Sequence, residues 1–405
     1  MRILVVSQIF YPTPFRVNDL VEALVARGHE VKVLTGLPDY GLPAIPEAFR
    51  RGKKRRETVL GAEVVRLPTL ARGKGVLRRA LNYISFACLG GLYACFSRDK
   101  HFDVIFSYET SPIFQVIPAI RFQKRSKKPL LLYCLDLWPE SLKAWHVSEK
   151  SPVYRLVRRI SRRIYQAADR VAVSSPGFND YLTTVCRVEA KRLCPLPQHA
   201  EEHFASIQGR REPATDIFHF LYAGNIGAVQ LLDLFVKAVP LMQTAKKFIL
   251  QIVGDGSEAE AVRQLAKDLK VEQQVHFYDR RPVADLYAFY LQADCFVLGL
   301  AADNEIGKRT LPGKLQSYMS AGKPVLVMSD GAPADFVENH HCGYVVRKEA
   351  PAELAAVMDR AVEDREGDLQ LGKNAYAVYQ AKFTKDKVVD QLEEYLTNWD
   401  DLIKK

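Results

Sequence analysis

Short, largely apolar runs recur along this chain: Ile3–Val6, Val31–Leu34, Val104–Ser107, Leu130–Leu135 and Arg170–Ser174, then Phe218–Tyr222, Phe248–Val253, Val275–Tyr278, Cys295–Leu298 and Pro324–Met328. They do not alternate apolar with polar residues as a half-solvated strand does, so each reads as a strand of a parallel sheet covered on both faces. The segments between them are long enough for helices, which makes the class α/β and doubly wound. A chain of 405 residues with 48% hydrophobic content is too long for one ordinary core and sufficient for two.

The first half opens as a βαβ unit. Asn18–Arg27 has helical periodicity closed by Gly28, and the loop Gln8–Phe15 follows the first strand at its carboxyl end, where open parallel sheets bind ligands. No GxGxxG or GxxxxGK[ST] stretch occurs in the strand–helix context those motifs need, which removes the best evidence for a dinucleotide or P-loop site. In the second half two strands run into glycine loops, Ala223-Gly224-Asn225-Ile226-Gly227 and Gly254-Asp255-Gly256-Ser257-Glu258. Glycine there lets backbone N–H groups approach a phosphate or sugar, although a purely steric turn explains a single such loop as well. Thr310–Ser329 then packs a turn, a helix with Pro312 in its first turn, a stop at Gly322 and a buried strand into twenty residues. Lys308, Arg309 and Lys314 crowd that helix start, where the macrodipole is already positive; either an anion sits among them or the loop is simply solvated.

Charge is divided unevenly. Residues 1–200 hold 33 Lys+Arg against 16 Asp+Glu and the remainder 24 against 31, so the halves carry +17 and −7. A basic half points to a polyanionic surface, nucleic acid or anionic lipid. Cationic runs at Arg50–Arg56 and Arg72–Arg79 precede the uncharged stretch Ala80–Phe96, which is short for a bilayer span of about 20 residues and is interrupted by Asn82 and Gly90–Gly91. It reads as an interfacial anchor or as a buried core helix. Val153–Ala168 sets Val153, Leu156, Val157, Ile160 and Ile164 against five arginines, a solvated face or a surface-binding one. The seven cysteines are odd in number and lack ligand spacing, so they read as reduced core thiols, and no metal site is expected. The start of the chain carries no secretory pattern, which predicts a cytoplasmic protein. The expected boundaries are a first domain at 1–198, a connection at 199–215 around Pro213, a second domain at 216–380 and a last segment at 381–405. In that segment Val388–Ile403 is amphipathic and placed to return to the first domain.

Six motifs, in order, resemble the GT-B glycosyltransferases, specifically the retaining family 4 and its bacterial branch of L-fucosamine and colanic-acid-type transferases. They are QIFYPTPFRVND, ARGHEVKVLTGLPDYG, DLWPES, YAGNIG, VGDGSE and LPGKLQSYMSAGKPV, spread over nearly the whole chain. The resemblance implies two Rossmann-like domains facing a cleft, with the nucleotide-sugar donor on the second and the acceptor on the first, and no cofactor or bound metal. It assigns Lys314 as the leading cation on the diphosphate with Arg309 as helper. Donor contacts fall on Gly224, Asn225, Gly227, Gly254, Gly256, Leu315 and Ser317. Asp136 in DLWPES is the residue that would orient an acceptor hydroxyl, unless it is a helix cap. Glu109, Phe15 and Arg16 are the further acceptor or loop candidates.

The departures are specific. The E-x7-E pair usual in family 4 is replaced by Arg309 and Ser317, Glu305 is at the wrong spacing to stand in, and the cations usual after the second domain's first strand are Asn225 and Gln230. The function implied is retaining transfer of a sugar, N-acetylated amino sugars included, from a UDP-sugar to a polyprenyl-diphosphate-linked or other lipid-linked saccharide for a surface polysaccharide. It would take place at the anionic inner face of the cell membrane, without nucleic acid. The rival readings are a non-hydrolysing UDP-sugar 2-epimerase of the same fold and a non-catalytic basic scaffold that binds nucleic acid or membrane.

Overall fold

The computed structural model describes residues 1–399 apart from positions 43, 74, 100, 146, 209–215 and 302–304. The chain divides into two compact units: Met1–Leu196 together with the end of the chain from Val389, and Pro197–Val388. In the first, the strands β1 (Arg2–Val6), β2 (Glu30–Thr35), β3 (Arg56–Val59), β4 (Ala62–Arg66), β5 (Val104–Glu109), β6 (Leu130–Cys134), β7 (Arg170–Val173) and β8 (Leu193–Pro195) form one sheet in the order β3-β4-β2-β1-β5-β6-β7-β8. Every pairing is parallel except β3 with β4. Its helices are α1 (Arg16–Ala26), α2 (Val76–Phe96), α3 (Ile117–Ser126), α4 (Pro152–Ala167) and α5 (Phe178–Thr184). In the second unit, β9 (Ile217–Asn225), β10 (Lys247–Asp255), β11 (Val275–Tyr278), β12 (Cys295–Gly299), β13 (Val325–Met328) and β14 (Gly343–Val346) lie in the order β11-β10-β9-β12-β13-β14, all parallel. Its helices are α6 (Leu232–Ala238), α7 (Ala259–Asp268), α8 (Leu286–Gln292), α9 (Glu305–Arg309), α10 (Gly313–Ser320), α11 (Ala332–Asn339), α12 (Pro351–Glu363) and α13 (Arg365–Lys382). A last helix, α14 (Lys385–Thr397), runs from the second unit into the first.

Both sheets reverse strand order at one point, between β1 and β5 and between β9 and β12. The carboxyl ends there, at Gln8 and Glu109 and at Gly224 and Gly299, are where ligands collect in open α/β sheets. The strands read from the sequence are present with ends shifted by a residue or a few, because their side chains are buried on both faces. Four strands were not legible, one of them the three-residue β8. β3 and β4 form an antiparallel hairpin at the edge, built from Arg56, Glu57, Glu63 and Arg66, whose charges suit an edge and hide the strand. β14 is four residues long.

Several expectations need correction. Residues 199–208 are not a free connection: Phe204 and Ile207 are buried in the second unit, and Phe204 stacks on Tyr290 at 3.8 Å. Pro213 and residues 209–215 lie outside the described residues, as do 400–403 of the amphipathic C-terminal stretch. From Val389 on, α14 buries Val389, Leu392 and Leu396 in the first unit, where Arg27 pairs with Asp390 and Glu393 at 2.6 and 2.7 Å. The α4 face is rotated from the expected one: Tyr154, Val157, Ile164 and Tyr165 are buried, while Val153 and Leu156 are exposed beside the arginines. Two of the seven cysteines, Cys88 and Cys95, are exposed rather than core thiols.

Ala80–Phe96 lies within the single helix α2, which has a buried face and an exposed apolar one. Asn82, Tyr83, Phe86, Ala87, Gly90 and Ala94 of α2 are buried. A Cβ at Gly90 would overlap Pro118 of α3, so this glycine marks a close helix crossing rather than a break. On the other face Leu77, Leu81 and Ile84 are 74%, 44% and 51% exposed, and Leu92 and Phe96 continue the stripe. No described helix is long and apolar enough to cross a membrane.

Candidate functional site

The strongest feature of the second unit lies where α10 begins. Pro312 is extended and precedes the helix rather than entering its first turn, so Lys314 is the second helical residue. Its side chain runs back over Tyr222 of β9: Nζ donates to the Tyr222 hydroxyl and stands 4.2 Å from the ring centroid. A Cβ at Gly224 would overlap the Lys314 stem, so this glycine leaves the channel the lysine occupies. No carboxylate pairs with Lys314 among the described residues, and burial pushes its ammonium down to about 8. An underpartnered ammonium at a helix start, where N–H groups point outward and the dipole is positive, is an arrangement that an anion completes.

The other two cations of this stretch are explained differently. Lys308 and Arg309 occupy the last turn of α9, where the dipole favours cations, and Arg309 pairs with Glu305 at 3.5 Å. Lys308 lies 4.0 Å from Asp330. Arg309 is thus not a second cation at the start of α10, and the crowding expected from the sequence reduces to Lys314. Leu315 is a core side chain, and its N–H donates to the Pro312 carbonyl at 2.9 Å, so it offers a ligand neither group.

The glycine loops separate in the same way. Gly254 lies opposite Gly224 in the β9–β10 register, and a Cβ there would overlap the Gly224 carbonyl; one at Gly256 would overlap Ile226. Both are glycine because main chain passes main chain, which is the steric reading. Asn225 and Gln230, at the positions of the missing cations, bond each other at 3.4 Å, and Gln230 also accepts from the Gly227 N–H at 3.0 Å. They shape the turn and supply no charge.

Ser317, one turn beyond Lys314, is 4% exposed. Its hydroxyl donates to Glu201 and also lies 3.0 Å from the Gly313 carbonyl. Glu201 therefore sets a carboxylate beside Ser317. The sequence held no sign of this, since the two residues are 116 positions apart.

In the first unit the carboxyl ends of β5 and β6 bring Glu109 and Asp136 together. Glu109 is fully buried with no well-formed hydrogen bond to either carboxyl oxygen. Burial first, and the Asp136 charge second, push its carboxyl well above the usual range. Burial favours its uncharged form, and with no exposed surface it cannot touch an acceptor, which corrects its reading as an acceptor contact. Asp136 is half-buried and accepts from Ser141 Oγ at 2.6 Å; burial raises its carboxyl, while hydrogen bonds from Ser141 and Ser111 work against that rise. Phe15 meets Tyr40 edge to face at 5.1 Å, and Arg16 opens α1.

A polar network missed by the sequence reading ties these loops together. The Gln8 side chain donates to Asn82 at 2.8 Å and its backbone N–H donates to Gln115 Oε1 at 2.9 Å; Asn82 donates to Asp39 at 2.9 Å. Asn82, the polar interruption of the apolar stretch, was the available signal.

The chain is similar to known glycosyltransferases. At 27% identity over 289 residues, 66% of this chain and 68% of the relative, it is similar to the probable glycosyltransferase WbjE of Pseudomonas aeruginosa. It is 22% identical over 327 residues, 77% of this chain and 78% of the relative, to the putative colanic acid biosynthesis glycosyl transferase WcaI of Escherichia coli K12. Among solved structures, Anabaena HepE in complex with UDP superposes with a TM-score of 0.69 at 15% identity, covering 98% of this chain and all of that one. The family described as glycosyl transferase 4-like domain matches residues 15–199 and that described as glycosyl transferases group 1 matches 206–378. With the two models taking in one Rossmann-like unit each, the chain belongs to the GT-B glycosyltransferases of family 4.

Proposed function

We propose that this glycosyltransferase moves a sugar from a UDP-sugar, with retention, onto a lipid-linked saccharide in the assembly of a surface polysaccharide such as a capsule, O-antigen or exopolysaccharide. The observation that carries the reading is Lys314, a buried ammonium at the start of α10 with no carboxylate partner among the described residues. Departure of the nucleoside diphosphate places charge on the β-phosphate, and a fixed cation with helix N–H groups stabilises that charge as it develops. In this reading Lys314 and α10 answer the charge without a metal ion, Gly224 and Gly227 line the donor, and Ser317 with Glu201 faces the ribose hydroxyls. The departing phosphate takes the acceptor proton on the same face of the sugar, and Asp136 orients the acceptor hydroxyl. Burial disfavours a second negative charge on Glu109 beside Asp136. The relatives' names, one of them for colanic acid biosynthesis, and the UDP complex of HepE support the pathway and the nucleotide.

A thermal-shift panel of UDP-, GDP-, dTDP- and ADP-sugars tests the donor. A ligand at 100 times its Kd stabilises by about 2.7 kcal/mol, and the UDP-sugars are expected to do so alone. A shift with GDP-sugars and none with UDP-sugars would replace the donor; a shift with no nucleotide would leave the scaffold reading.

The same proposal places the protein at the inner face of the cell membrane. The exposed stripe of α2, with Arg78 and Arg79 in its first turn and the arginines of α4 in the same basic unit, suits an anionic interface. Co-sedimentation with anionic vesicles is expected, weakening as salt rises, and Leu77→Asp with Ile84→Asp is expected to abolish it. Equal binding to neutral vesicles at low salt would defeat the electrostatic part, and binding to neither would defeat the whole.

A further inference from the structure

Arg72 lies in the loop between β4 and α2 and is held there by aromatic rings. Its guanidinium carbon stands 4.4 Å from the Tyr40 ring centroid and 5.3 Å from that of Tyr83. Its backbone N–H donates to Asp39 at 2.8 Å, and the same carboxyl oxygen accepts from Asn82, so this carboxylate fixes the loop and its neighbouring helix. Among the described residues no hydrogen-bond or ion-pair partner meets the guanidinium itself. A guanidinium with its stem immobilised and its donors open has already lost the rotamer freedom that binding would otherwise cost.

Two neighbours define what it can hold. Tyr83, buried under the guanidinium on α2, has its phenol raised by burial, which the Arg72 charge opposes. On the other side, the exposed apolar stripe of α2 begins four residues after Arg72, at Val76 and Leu77. A cation at the root of an apolar stripe matches an amphiphile with an anionic head and a hydrocarbon tail. Bidentate recognition of phosphate oxygens is what a fixed guanidinium does best.

We propose that Arg72, held between Tyr40 and Tyr83, binds the phosphate of a lipid-phosphate acceptor whose hydrocarbon lies along Leu77, Leu81 and Ile84. The proposal rests on the lipid-linked acceptor reading and names the residue that recognises its head. It is tested on the full chain with UDP at saturation, so that diphosphate cannot enter the donor site, by titrating farnesyl diphosphate, farnesol and inorganic pyrophosphate. The wild type is expected to bind farnesyl diphosphate at least tenfold more tightly than either partial ligand. Arg72→Ala is expected to reduce farnesyl diphosphate to the level of farnesol while leaving farnesol and UDP affinities unchanged, and Arg72→Lys to recover part of the difference. Undiminished farnesyl diphosphate binding by Arg72→Ala would overturn the proposal and leave a lipid-linked acceptor standing. Pyrophosphate bound as tightly as farnesyl diphosphate would make this a site for free phosphate and overturn it as well. No binding of either farnesyl compound to the wild type would remove the lipid-acceptor reading and the proposal with it.

Discussion

Lys314→Ala is expected to lower kcat by about 10²–10³ while making the unliganded protein more stable, a combination that few other residues of the chain would give. The loss follows from removing the cation at the start of α10, which has no carboxylate partner among the described residues, since a single donor aimed at developing charge is worth roughly 3–4 kcal/mol in the transition state. The gain has the same origin. Its ammonium is pushed from 10.5 down to about 8 by burial, so at neutral pH the folded protein bears a charge that the unfolded chain would solvate better. Below pH 8 both states are protonated and the full penalty is present. Between pH 8 and 10.5 the folded state has released the proton and the unfolded state has not, so stability rises with pH. Lys314→Met, which keeps the stem against Tyr222, is therefore expected to stabilise by about 1–3 kcal/mol below pH 8, with the advantage fading toward pH 10.5.

Two companions sharpen the test. Gly224→Ala carries no charge change but obstructs the Lys314 stem, and is expected to lower turnover similarly. Lys314→Arg keeps the charge without the fit and is expected to recover only part. UDP affinity is expected to fall as pH rises above about 8, because the anion needs the protonated lysine. Urea melts across pH and steady-state kinetics check these outcomes; near-normal turnover in a folded Lys314→Ala protein, or the same pH slope of stability in Lys314→Met and wild type, would remove Lys314 from the chemistry.

The alternation of buried strands with helices was legible because a strand covered on both faces must be apolar throughout, and that leaves a mark in any single sequence. What failed to show did so for identifiable reasons. The edge hairpin of β3 and β4 carries its charges outward, so no apolar run announces it. The five-residue α9 is too short to leave a period, which turned the end of one helix into an apparent cluster at the start of the next. Tyr222, beneath Lys314, is indistinguishable in sequence from any aromatic residue of a buried strand. Glycines 224, 254 and 256 look alike in a sequence, and only the registered pairing of β9 with β10 separates the one that admits a side chain from the two that admit main chain. Pairings across long separations, such as Ser317 with Glu201 or Asn82 with Gln8 and Asp39, depend on which loops meet.

Ser317→Glu would restore the family's usual carboxylate at its usual position, and on sequence grounds it should tighten nucleotide binding or leave it little changed. The structure reverses that expectation. Ser317 is nearly fully buried and its hydroxyl already donates to Glu201, so a glutamate there sets one carboxylate against another in a space that fits a hydroxyl. Two carboxylates sharing a site cannot both ionise without a large rise in one pKa, and overpacking adds roughly 1–3 kcal/mol. The single variant is expected to lose about 10²-fold in UDP affinity and about 2–4 kcal/mol of stability. Glu201→Gln alone, which removes the carboxylate from the ribose position, is expected to weaken UDP by about tenfold, since a charged acceptor is replaced by a neutral one. Combining the two returns a single carboxylate to the site on the other residue, and the double variant is expected to bind UDP better than either parent, with a coupling energy of about 1–3 kcal/mol. The comparison of UDP with 2′,3′-dideoxy-UDP shows whether that carboxylate reads the hydroxyls: discrimination should be present in the wild type, lost in Glu201→Gln and regained in the double variant. If Ser317→Glu binds UDP as well as the wild type with Glu201 intact, or if Glu201→Gln discriminates the two nucleotides as before, Glu201 only holds the backbone of its segment and the site has no replacement for the missing glutamate.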